Sequence, residues 1–154
     1  MGFSLPAAIG AQLGCPDKTI VNINGDGSYA MTIQELIPAV TMKLPLKIFI
    51  INNMYLGMVR QWQEFFYERR YAATPLLNPD FVKLAEAHGL SGIAVTERAG
   101  VVPGVEAARE QAGAVVLDFK VEQEDSVFPM VPAGADLDDM IRRPSPIVET
   151  AADT

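Results

Sequence analysis

Two short polar segments of the sequence carry residue types that could bind a metal ion and an anion. One, GDGS at 25–28, follows the β-branched run at 19–24, and the other, NNMYLG at 52–57, follows the apolar run at 46–51. Asp26 offers a hard carboxylate oxygen and an asparagine of the second segment offers a neutral oxygen, a combination that selects Mg²⁺ or Ca²⁺ over zinc. Gly25 and Gly27 let the backbone turn sharply and approach an anion.

The pattern around these segments alternates between strands and helices. We predict strands over 19–24, 46–51, 92–95 and 114–119, and helices near 5–13, 32–42, 57–70, 78–89 and 105–111. This alternation predicts an α/β fold, layered, with a mostly parallel sheet and helices on both faces. Ligands of such sheets bind beyond the carboxyl ends of the strands, so both polar segments can face one ligand.

The ligand that best suits the two segments together is a metal-bound diphosphate. A Mg²⁺ held by one carboxylate and neutral oxygens keeps a net positive charge, which diphosphate oxygens can balance. The alternative is an ordinary tight turn, because Asn-Gly-Asp-Gly alone is common in turns. A dinucleotide-binding loop fits less well, because Ala30 stands where a third glycine is needed and no acidic residue is placed to bind a ribose.

Composition narrows the class of protein. A chain of 154 residues with 49% hydrophobic and 20% charged residues is typical of a single globular domain. The net charge of -7 argues against nucleic acid as a partner, and no apolar run is long enough to cross a membrane. The single cysteine, Cys15, fits a reducing compartment, and we expect it to be a buried structural thiol.

The chain divides into three parts on composition. We predict a domain core over 1–121, a proline-bearing tail over 122–141 and a disordered end over 142–154. The apolar stripe of Leu5, Ile9 and Leu13 begins almost at the first residue, with no strand before it. We therefore expect the N-terminal strand of the fold to be missing from this sequence.

Several blocks of the sequence resemble one family of thiamine-diphosphate enzymes, the acetohydroxyacid (acetolactate) synthases. Besides the two polar segments, the blocks are Met1 to Ala8, Leu56 to Gln63, Asn78 to Ala85 and Phe128 to Pro132. The resemblance extends from Met1 to about Ile141. It implies that the chain is the C-terminal thiamine-diphosphate-binding domain of a catalytic large subunit.

The resemblance implies a role for each residue of the two segments and their neighbours. It gives the side chains of Asp26 and Asn53 and the backbone carbonyl of Tyr55 as Mg²⁺ ligands. The residues that it assigns to the cofactor are Met1, Gly25, Gly27, Ser28, Gly57 and Met58, of which Met1 props the cofactor into its bent form. The residues that it assigns to the substrate are Met58, Val59 and Trp62.

Some of these residues also fit an ordinary structural role. Trp62 lies at helical spacing with Phe65 and Phe66 and packs equally well in a core, which is the interpretation that we prefer for the two phenylalanines. His88 precedes a glycine at a helix end, where an imidazole can cap carbonyl groups. Glu64 is expected to be a solvated surface residue.

The activity implied by the resemblance is the condensation of two 2-oxo acids, pyruvate with pyruvate or with 2-oxobutyrate, with loss of CO₂. This transferase reaction belongs to branched-chain amino-acid biosynthesis. In the family, the activating glutamate lies in a separate N-terminal domain and FAD binds to a middle domain, so we expect no catalytic residue in this chain and no activity from the chain alone.

The resemblance also implies the partners and the compartment. We expect a homo-oligomer of full-length subunits, a regulatory subunit, no membrane and no nucleic acid. The compartment is cytoplasmic, or an organelle after processing in a eukaryote. Two alternatives stay open, namely another thiamine-diphosphate-dependent decarboxylase or oxidase, and a non-catalytic remnant that binds Mg²⁺-diphosphate or associates with a complete subunit.

Overall fold

A computed structural model describes residues 1–144, which fall into two compact units. The first unit is Met1–Glu124, and the second begins at Asp125. The boundary therefore lies at Glu124, slightly beyond the predicted end of the core at residue 121.

The first unit contains all the strands and α-helices of the described chain. The helices are α1 (Ser4–Gly14), α2 (Asp26–Ala30), α3 (Leu36–Thr41), α4 (Gly57–Phe66), α5 (Phe81–Ala87) and α6 (Val101–Glu110). The strands are β1 (Val21–Gly25), β2 (Lys47–Asn52), β3 (Ser91–Val95) and β4 (Val115–Lys120), and short 3-10 helices occur at Ile33–Glu35 and Arg98–Gly100. Among residues 1–144, no helix is long and apolar enough to cross a membrane.

The strands form one parallel sheet in the order β1-β2-β4-β3. In the register, Gly25 lies beside Ile51, and Asn52 lies beside Lys120. The carboxyl ends of β1, β2 and β4 therefore meet at the same edge of the sheet. This edge, called the carboxyl edge below, is where the two polar segments begin, and the α/β fold predicted from the sequence is confirmed.

The sheet is covered by helices on both faces, which gives two hydrophobic clusters. On one face, Ile48 and Ile50 of β2 pack with residues of α1, α2, α3 and α5. On the other, Leu117 and Phe119 of β4 pack with α6, and Phe49 of β2 lies against the same cluster. Burying each such side chain contributes about 1.5–3 kcal/mol, so these clusters hold the strands in register.

Two helices differ from their predicted bounds. The helix predicted over 32–42 is divided into the 3-10 helix Ile33–Glu35 and α3, and a separate short helix, α2, begins at Asp26 directly after β1. The helix predicted to reach about residue 70 ends at Phe66, because Glu68 and Arg69 adopt positive φ values of 53° and 57°. Backbone in this left-handed region cannot continue a right-handed helix.

The expectation of a buried cysteine was wrong. Cys15 is an exposed free thiol that follows the last residue of α1. Leu13, from the predicted apolar stripe of the same helix, is 49% exposed, whereas Leu5 and Ile9 are buried. Near the C-terminal end of α1 only Gln12 is buried, whereas Leu13, Gly14 and Cys15 are exposed.

The second unit, described from Asp125 to residue 144, contains a 3-10 helix at Leu137–Asp139 and an antiparallel bridge between Met130 and Ile141. Within it, Arg143 pairs with Asp125 at 3.0 Å and lies 5.6 Å from the centre of the Phe128 ring. The predicted disorder over 142–154 falls mainly on residues 145–154, which lie outside the described residues.

Candidate functional site

Asp26 is the first residue after β1 and lies at the carboxyl edge. Its side chain is 2% exposed. The short helix α2 that carries it is anchored by Tyr29, whose fully buried ring contacts the Phe81 ring edge-on at 5.4 Å. Burial raises the pKa of the Tyr29 hydroxyl, so this group stays neutral and serves packing. The anchor fixes the place of the Asp26 backbone.

The segment after β2 reaches the carboxylate of Asp26. The Met54 N–H donates a hydrogen bond to Asp26 Oδ2 at 2.8 Å. Met54 has a φ of 58°, a left-handed conformation that is uncommon for a residue with a side chain. Asn53 forms a local turn, in which its Oδ1 accepts a hydrogen bond from the Tyr55 N–H at 3.1 Å. The structure therefore brings the two polar segments together, as the parallel arrangement of β1 and β2 predicts.

Asn78 also reaches this carboxylate, and sequence reasoning missed it. Its Nδ2 donates to Asp26 Oδ2 at 2.6 Å and to Asn52 Oδ1 at 3.1 Å. The sequence pattern places Asn78 only at the start of a helix. A usable signal was present, since Asp80 already caps α5 by accepting from the N–H groups of the second and third helical residues. Asn78 was thus free for another partner.

A buried polar chain continues from Asn78 along the edge. Asn52 Nδ2 donates to Asp118 Oδ1 at 2.9 Å, and Asp118 Oδ2 lies 2.7 Å from Lys120 Nζ. Asn52 and Asp118 are 1% and 2% exposed. Buried polar groups are costly unless paired, so these contacts hold each side chain in one orientation.

A return segment, residues 74–78, brings Asn78 to the site. It runs antiparallel to the loop after β2, with Leu56 N–H donating to the Thr74 carbonyl at 2.9 Å and Leu76 N–H donating to the Met54 carbonyl at 2.8 Å. Gln63 of α4 fastens its start, because Gln63 Oε1 accepts from the Thr74 hydroxyl at 3.0 Å. The return segment is therefore part of the site's framework.

Arg60 of α4 supports the loop from its other side. The Arg60 side chain is fully buried, and its guanidinium lies 5.8 Å from the ring centres of both Tyr55 and Tyr71. It also pairs with Glu64 at 3.3 Å. The Glu64 side chain is only 14% exposed, so the prediction of a solvated Glu64 was wrong. These contacts place the Tyr55 backbone.

Gly27 is enclosed by apolar side chains. A Cβ atom added there would lie 2.8 Å from Leu56 Cδ2, 3.0 Å from Leu76 Cδ1 and 3.7 Å from Met1 Cε. Met1 therefore lies against Gly27 of the first polar segment, although α1 and β1 separate the two residues in the sequence. The absence of a side chain at Gly27 lets the chain approach these groups closely.

The other predicted cofactor residues lie close to the same place. Ser28 Oγ accepts a hydrogen bond from the Gly2 N–H at 2.9 Å. A Cβ at Gly57 would lie 3.2 Å from Asn53 Nδ2, so this glycine leaves room for the Asn53 amide. Gly25 has an ordinary φ of −77° and no atom within 4 Å of an added Cβ, so nothing inside the described chain requires a glycine there.

The predicted substrate residues lie on the outer side of α4. Met58, Val59 and Trp62 are 53%, 48% and 39% exposed. The Trp62 ring packs on the Phe66 ring at 5.1 Å, and Phe66 is itself 40% exposed. The core interpretation therefore fails for Trp62 and for Phe66. His88 behaves as a helix-end residue, with Nδ1 2.8 Å from the Leu84 carbonyl oxygen.

The oxygen atoms at the carboxyl edge suit Mg²⁺. Among residues 1–144, no hydrogen bond reaches Asp26 Oδ1 or the Tyr55 carbonyl oxygen, while both contacts to Asp26 use Oδ2. The same part of the chain contains no group of three or more His, Cys, Asp or Glu that could hold a metal. One carboxylate with neutral oxygens leaves coordination positions for phosphate oxygens, which is the usual arrangement of a Mg²⁺-phosphate site. The residues therefore fit a Mg²⁺-diphosphate group.

Comparison with known proteins identifies the class that this fold and edge define. The family model of the thiamine pyrophosphate enzyme C-terminal TPP-binding domain matches residues 1–119, and the chain belongs to this family. Thiamine pyrophosphate and thiamine diphosphate are the same cofactor. The chain also superposes on the thiamine diphosphate-dependent 4-hydroxybenzoylformate decarboxylase of Rhodococcus jostii with a TM-score of 0.75 and 31% identity, over 82% of this chain and 24% of that one.

Within the family, the chain is similar to acetolactate synthases. It is 46% identical over 92% of its length to the mitochondrial acetolactate synthase catalytic subunit of Saccharomyces cerevisiae. It is 48% identical over 91% of its length to the acetolactate synthase large subunit of Corynebacterium glutamicum, and 42% identical over 93% to the isozyme 2 large subunit of Escherichia coli. The chain spans only 20%, 23% and 26% of the length of these three relatives.

Proposed function

We propose that this chain holds Mg²⁺-thiamine diphosphate at its carboxyl edge and forms the C-terminal part of an acetolactate synthase. The synthase condenses pyruvate with a second pyruvate or with 2-oxobutyrate and releases CO₂. The observation that carries the proposal is the buried Asp26 carboxylate, which has Oδ2 held by Met54 and Asn78 and Oδ1 without a hydrogen bond in the described chain.

The proposed Mg²⁺ ligands are the side chains of Asp26 and Asn53 and the backbone carbonyl of Tyr55. The Met54 hydrogen bond to Asp26 and the packing of the Tyr55 ring with Arg60, which hold the loop after β2 against Asp26, support this assignment. Because only one of these ligands is charged, the cation keeps positive charge for the diphosphate. The parallel pairing of β1 and β2, which brings the ends of both strands to one edge, also supports this assignment.

The remaining proposed cofactor contacts come from the backbone, from small residues and from two methionines. We assign the diphosphate and thiazolium contacts to Gly25, Gly27, Ser28, Gly57 and Met58. Met1 lies against Gly27, which supports its proposed role as the apolar residue that sets the bend of the cofactor. The open space around Gly25 allows an anion to approach the backbone there.

The outer side of α4 supplies the proposed acceptor pocket. Met58, Val59 and Trp62 expose apolar surface next to the loop that carries Asn53 and Tyr55. Exposed apolar side chains beside a cofactor suit the alkyl group of a 2-oxo acid, which carries no hydrogen-bonding group. Their role is to select the second substrate by apolar contact.

The cofactor, when bound, supplies the carbon-centred chemistry of decarboxylation and condensation. This chain binds and orients it, and we assign no catalytic proton transfer to any residue here. By resemblance, the activating glutamate and the FAD site belong to other domains, and the whole protein is a homo-oligomer with a regulatory subunit. Its compartment is the cytoplasm, or an organelle as in the yeast relative named mitochondrial.

A thiamine-diphosphate-dependent decarboxylase is the second candidate, favoured by the superposition on the Rhodococcus jostii enzyme. The higher identity to acetolactate synthases, 42–48% against 31%, favours the synthase. The product distinguishes the two activities. In the complete protein, a synthase releases acetolactate from pyruvate, whereas a simple decarboxylase releases the free aldehyde.

Binding of thiamine diphosphate in the presence of Mg²⁺, measured by equilibrium dialysis on the complete protein, tests the site. We expect Asp26→Ala to weaken binding by more than about 100-fold, above the range typical of residues that only orient a metal ligand. The matched control is Asp17→Ala, an exposed aspartate in the loop before β1, which should bind like the native protein. Equal affinities of the Asp26→Ala and native proteins would remove the proposed site.

A further inference from the structure

We propose that Asn78 is a positioning residue that holds the Asp26 carboxylate in place for the cation, an inference that rests on the proposed Mg²⁺-diphosphate site. We further propose that Asp118 and Asn52 fix the direction in which Asn78 donates. The Lys120 ammonium ends this chain of side chains at β4. None of these four residues is among the proposed ligands of the cation or of the cofactor.

The direction of every hydrogen bond in the chain is set by its two carboxylates. Asp118 can only accept, so Asn52 turns its Nδ2 towards Asp118 and its Oδ1 away from it. Asn78 then faces two acceptors, Asn52 Oδ1 at 3.1 Å and Asp26 Oδ2 at 2.6 Å. Only the Nδ2 group of Asn78 satisfies both. A flipped Asn78 amide would place its oxygen against two other oxygens.

The consequence for Asp26 is a fixed carboxylate. Oδ2 accepts from the Met54 N–H and from Asn78 Nδ2, which come from different segments of the chain. Two donors on one oxygen oppose rotation of the carboxylate plane. Oδ1 is then the oxygen left for the cation, and a ligand already held in one orientation loses less entropy when the cation binds.

Other contacts account for the local fold without the Asn78 amide. Helix α5 is capped by Asp80, and the return segment is tied to the loop after β2 through the backbones of Thr74 and Leu76. The side chain of Asn78 is therefore not required to begin the helix or to place the segment. Its removal should change the behaviour of Asp26 more than it changes the fold.

The test measures the dissociation constant of Mn²⁺, used in place of Mg²⁺, by electron paramagnetic resonance of free Mn²⁺ with thiamine diphosphate present. The complete protein is compared with Asn78→Ala, Asp118→Asn and the double variant. We expect Asn78→Ala to raise the dissociation constant about 10–100-fold, the usual effect of losing a residue that orients a metal ligand. Asp118→Asn keeps the shape of the side chain and should act in the same direction with a smaller factor.

The double variant tests whether the two residues act through one another. If Asp118 works through Asn52 and Asn78, its substitution should have little further effect once Asn78 is alanine, so the two factors will not multiply. Independent, multiplying factors would overturn the proposed chain. If Asn78→Ala does not fold, the isosteric Asp118→Asn decides, and an unchanged dissociation constant in it overturns the proposal.

Two further variants separate this inference from a structural effect and from the proposed function. Leu77→Ala changes the neighbouring side chain, which is 99% exposed, and should bind Mn²⁺ as the native protein does. A purely structural role of Asn78 would reduce the number of competent sites and the melting temperature without changing the dissociation constant, and that result overturns the inference.

Asp26→Ala is measured in the same series. If Asp26→Ala loses Mn²⁺ binding while Asn78→Ala keeps the native dissociation constant, the inference fails and the proposed site stands. If Asp26→Ala binds normally, or if the native protein binds no Mn²⁺ under these conditions, both the proposed function and the inference fail.

Discussion

The carboxyl edge of the sheet and the outer side of α4 are neighbours in the chain, yet they are built in opposite ways. At the edge, polar side chains are buried and satisfied by partners within the chain, as with Asn52 and Asp118 at 2.9 Å. On the outer side of α4, apolar side chains such as Met58 and Trp62 remain 53% and 39% exposed. The edge is thus organised by the chain itself, whereas the helix presents surface for contacts from outside it.

The energetic reasons for the two arrangements differ. A buried polar group without a partner costs about 1–3 kcal/mol, so each group at the edge must be paired and therefore becomes oriented. Burying apolar surface would stabilise the protein by about 25 cal/mol for each Å² removed from water. A patch of apolar surface that stays exposed therefore commonly marks a binding surface. The comparison predicts that substitutions at the edge alter cofactor affinity and that substitutions on α4 alter substrate choice.

The largest expected effect concerns turnover. The purified 154-residue chain, supplied with thiamine diphosphate, Mg²⁺, FAD and pyruvate, should form no acetolactate, because in the proposed function the outer side of α4 supplies only part of the acceptor pocket and the resemblance assigns the activating glutamate to another domain. The assay is a colorimetric determination of acetolactate. Turnover by the isolated chain would show that both regions are complete without any further partner.

The next effect is on stability. Ile50→Ala in β2 removes a fully buried side chain and should lower the free energy of unfolding by about 2–5 kcal/mol. Val59→Ala on α4 should change it by no more than about 0.5 kcal/mol, because Val59 is 48% exposed. Urea unfolding of both variants measures the difference. Similar losses would mean that the outer side of α4 also serves folding.

A smaller effect is expected on substrate choice. In the complete enzyme, Trp62→Leu should weaken the preference for 2-oxobutyrate over pyruvate by about 1–3 kcal/mol, since one methylene in apolar contact is worth no more. The product ratio from mixed substrates measures this preference. Tyr67→Leu, which alters a 54% exposed ring just after α4, is the control and should leave the ratio unchanged. An unaffected ratio in Trp62→Leu would remove Trp62 from the acceptor pocket.

The smallest expected effect is on the acid dependence of unfolding, and it concerns a solvated carboxylate in contrast to the buried ones at the carboxyl edge. Asp80 is solvated, and hydrogen bonds from the Lys83 backbone and side chain lower the pKa of its carboxyl group. A lowered pKa means that the ionised cap stabilises the fold above the ordinary pKa and loses this effect as the pH falls through the folded value. Asp80→Asn should therefore flatten the acid dependence of unfolding slightly. An unchanged dependence would show that the cap adds nothing measurable.

Much of the framework could be predicted from sequence. The apolar run before Asn52 predicts a buried strand. Because the carboxyl ends of parallel strands meet at one edge of a sheet, Asp26 and Asn53 are then expected at the same edge. In the structure β1 and β2 do end side by side. The prediction of roles for Met58, Val59 and Trp62 depended on resemblance. Their exposure is compatible with those roles, which remain predictions.

The misses share a physical origin. The burial of Cys15 and the exposure of Glu64 are predictions from residue type, but burial depends on which element covers each position. Cys15 follows the end of α1 and is exposed, and Glu64 is enclosed beside the buried Arg60. The early start of α2 was missed because its first residues are the polar segment itself.

The α/β alternation and the two chemically distinctive segments can be predicted without the structure, because they depend on local periodicity and on residue type. The way in which Asp26 is held depends on the fold, because its partner Asn78 lies 52 positions away along the chain. Hydrogen bonds of this kind form between residues that the sheet and the return segment bring together. Local sequence patterns do not predict which distant residues will meet, whereas the folded chain brings them within hydrogen-bonding distance.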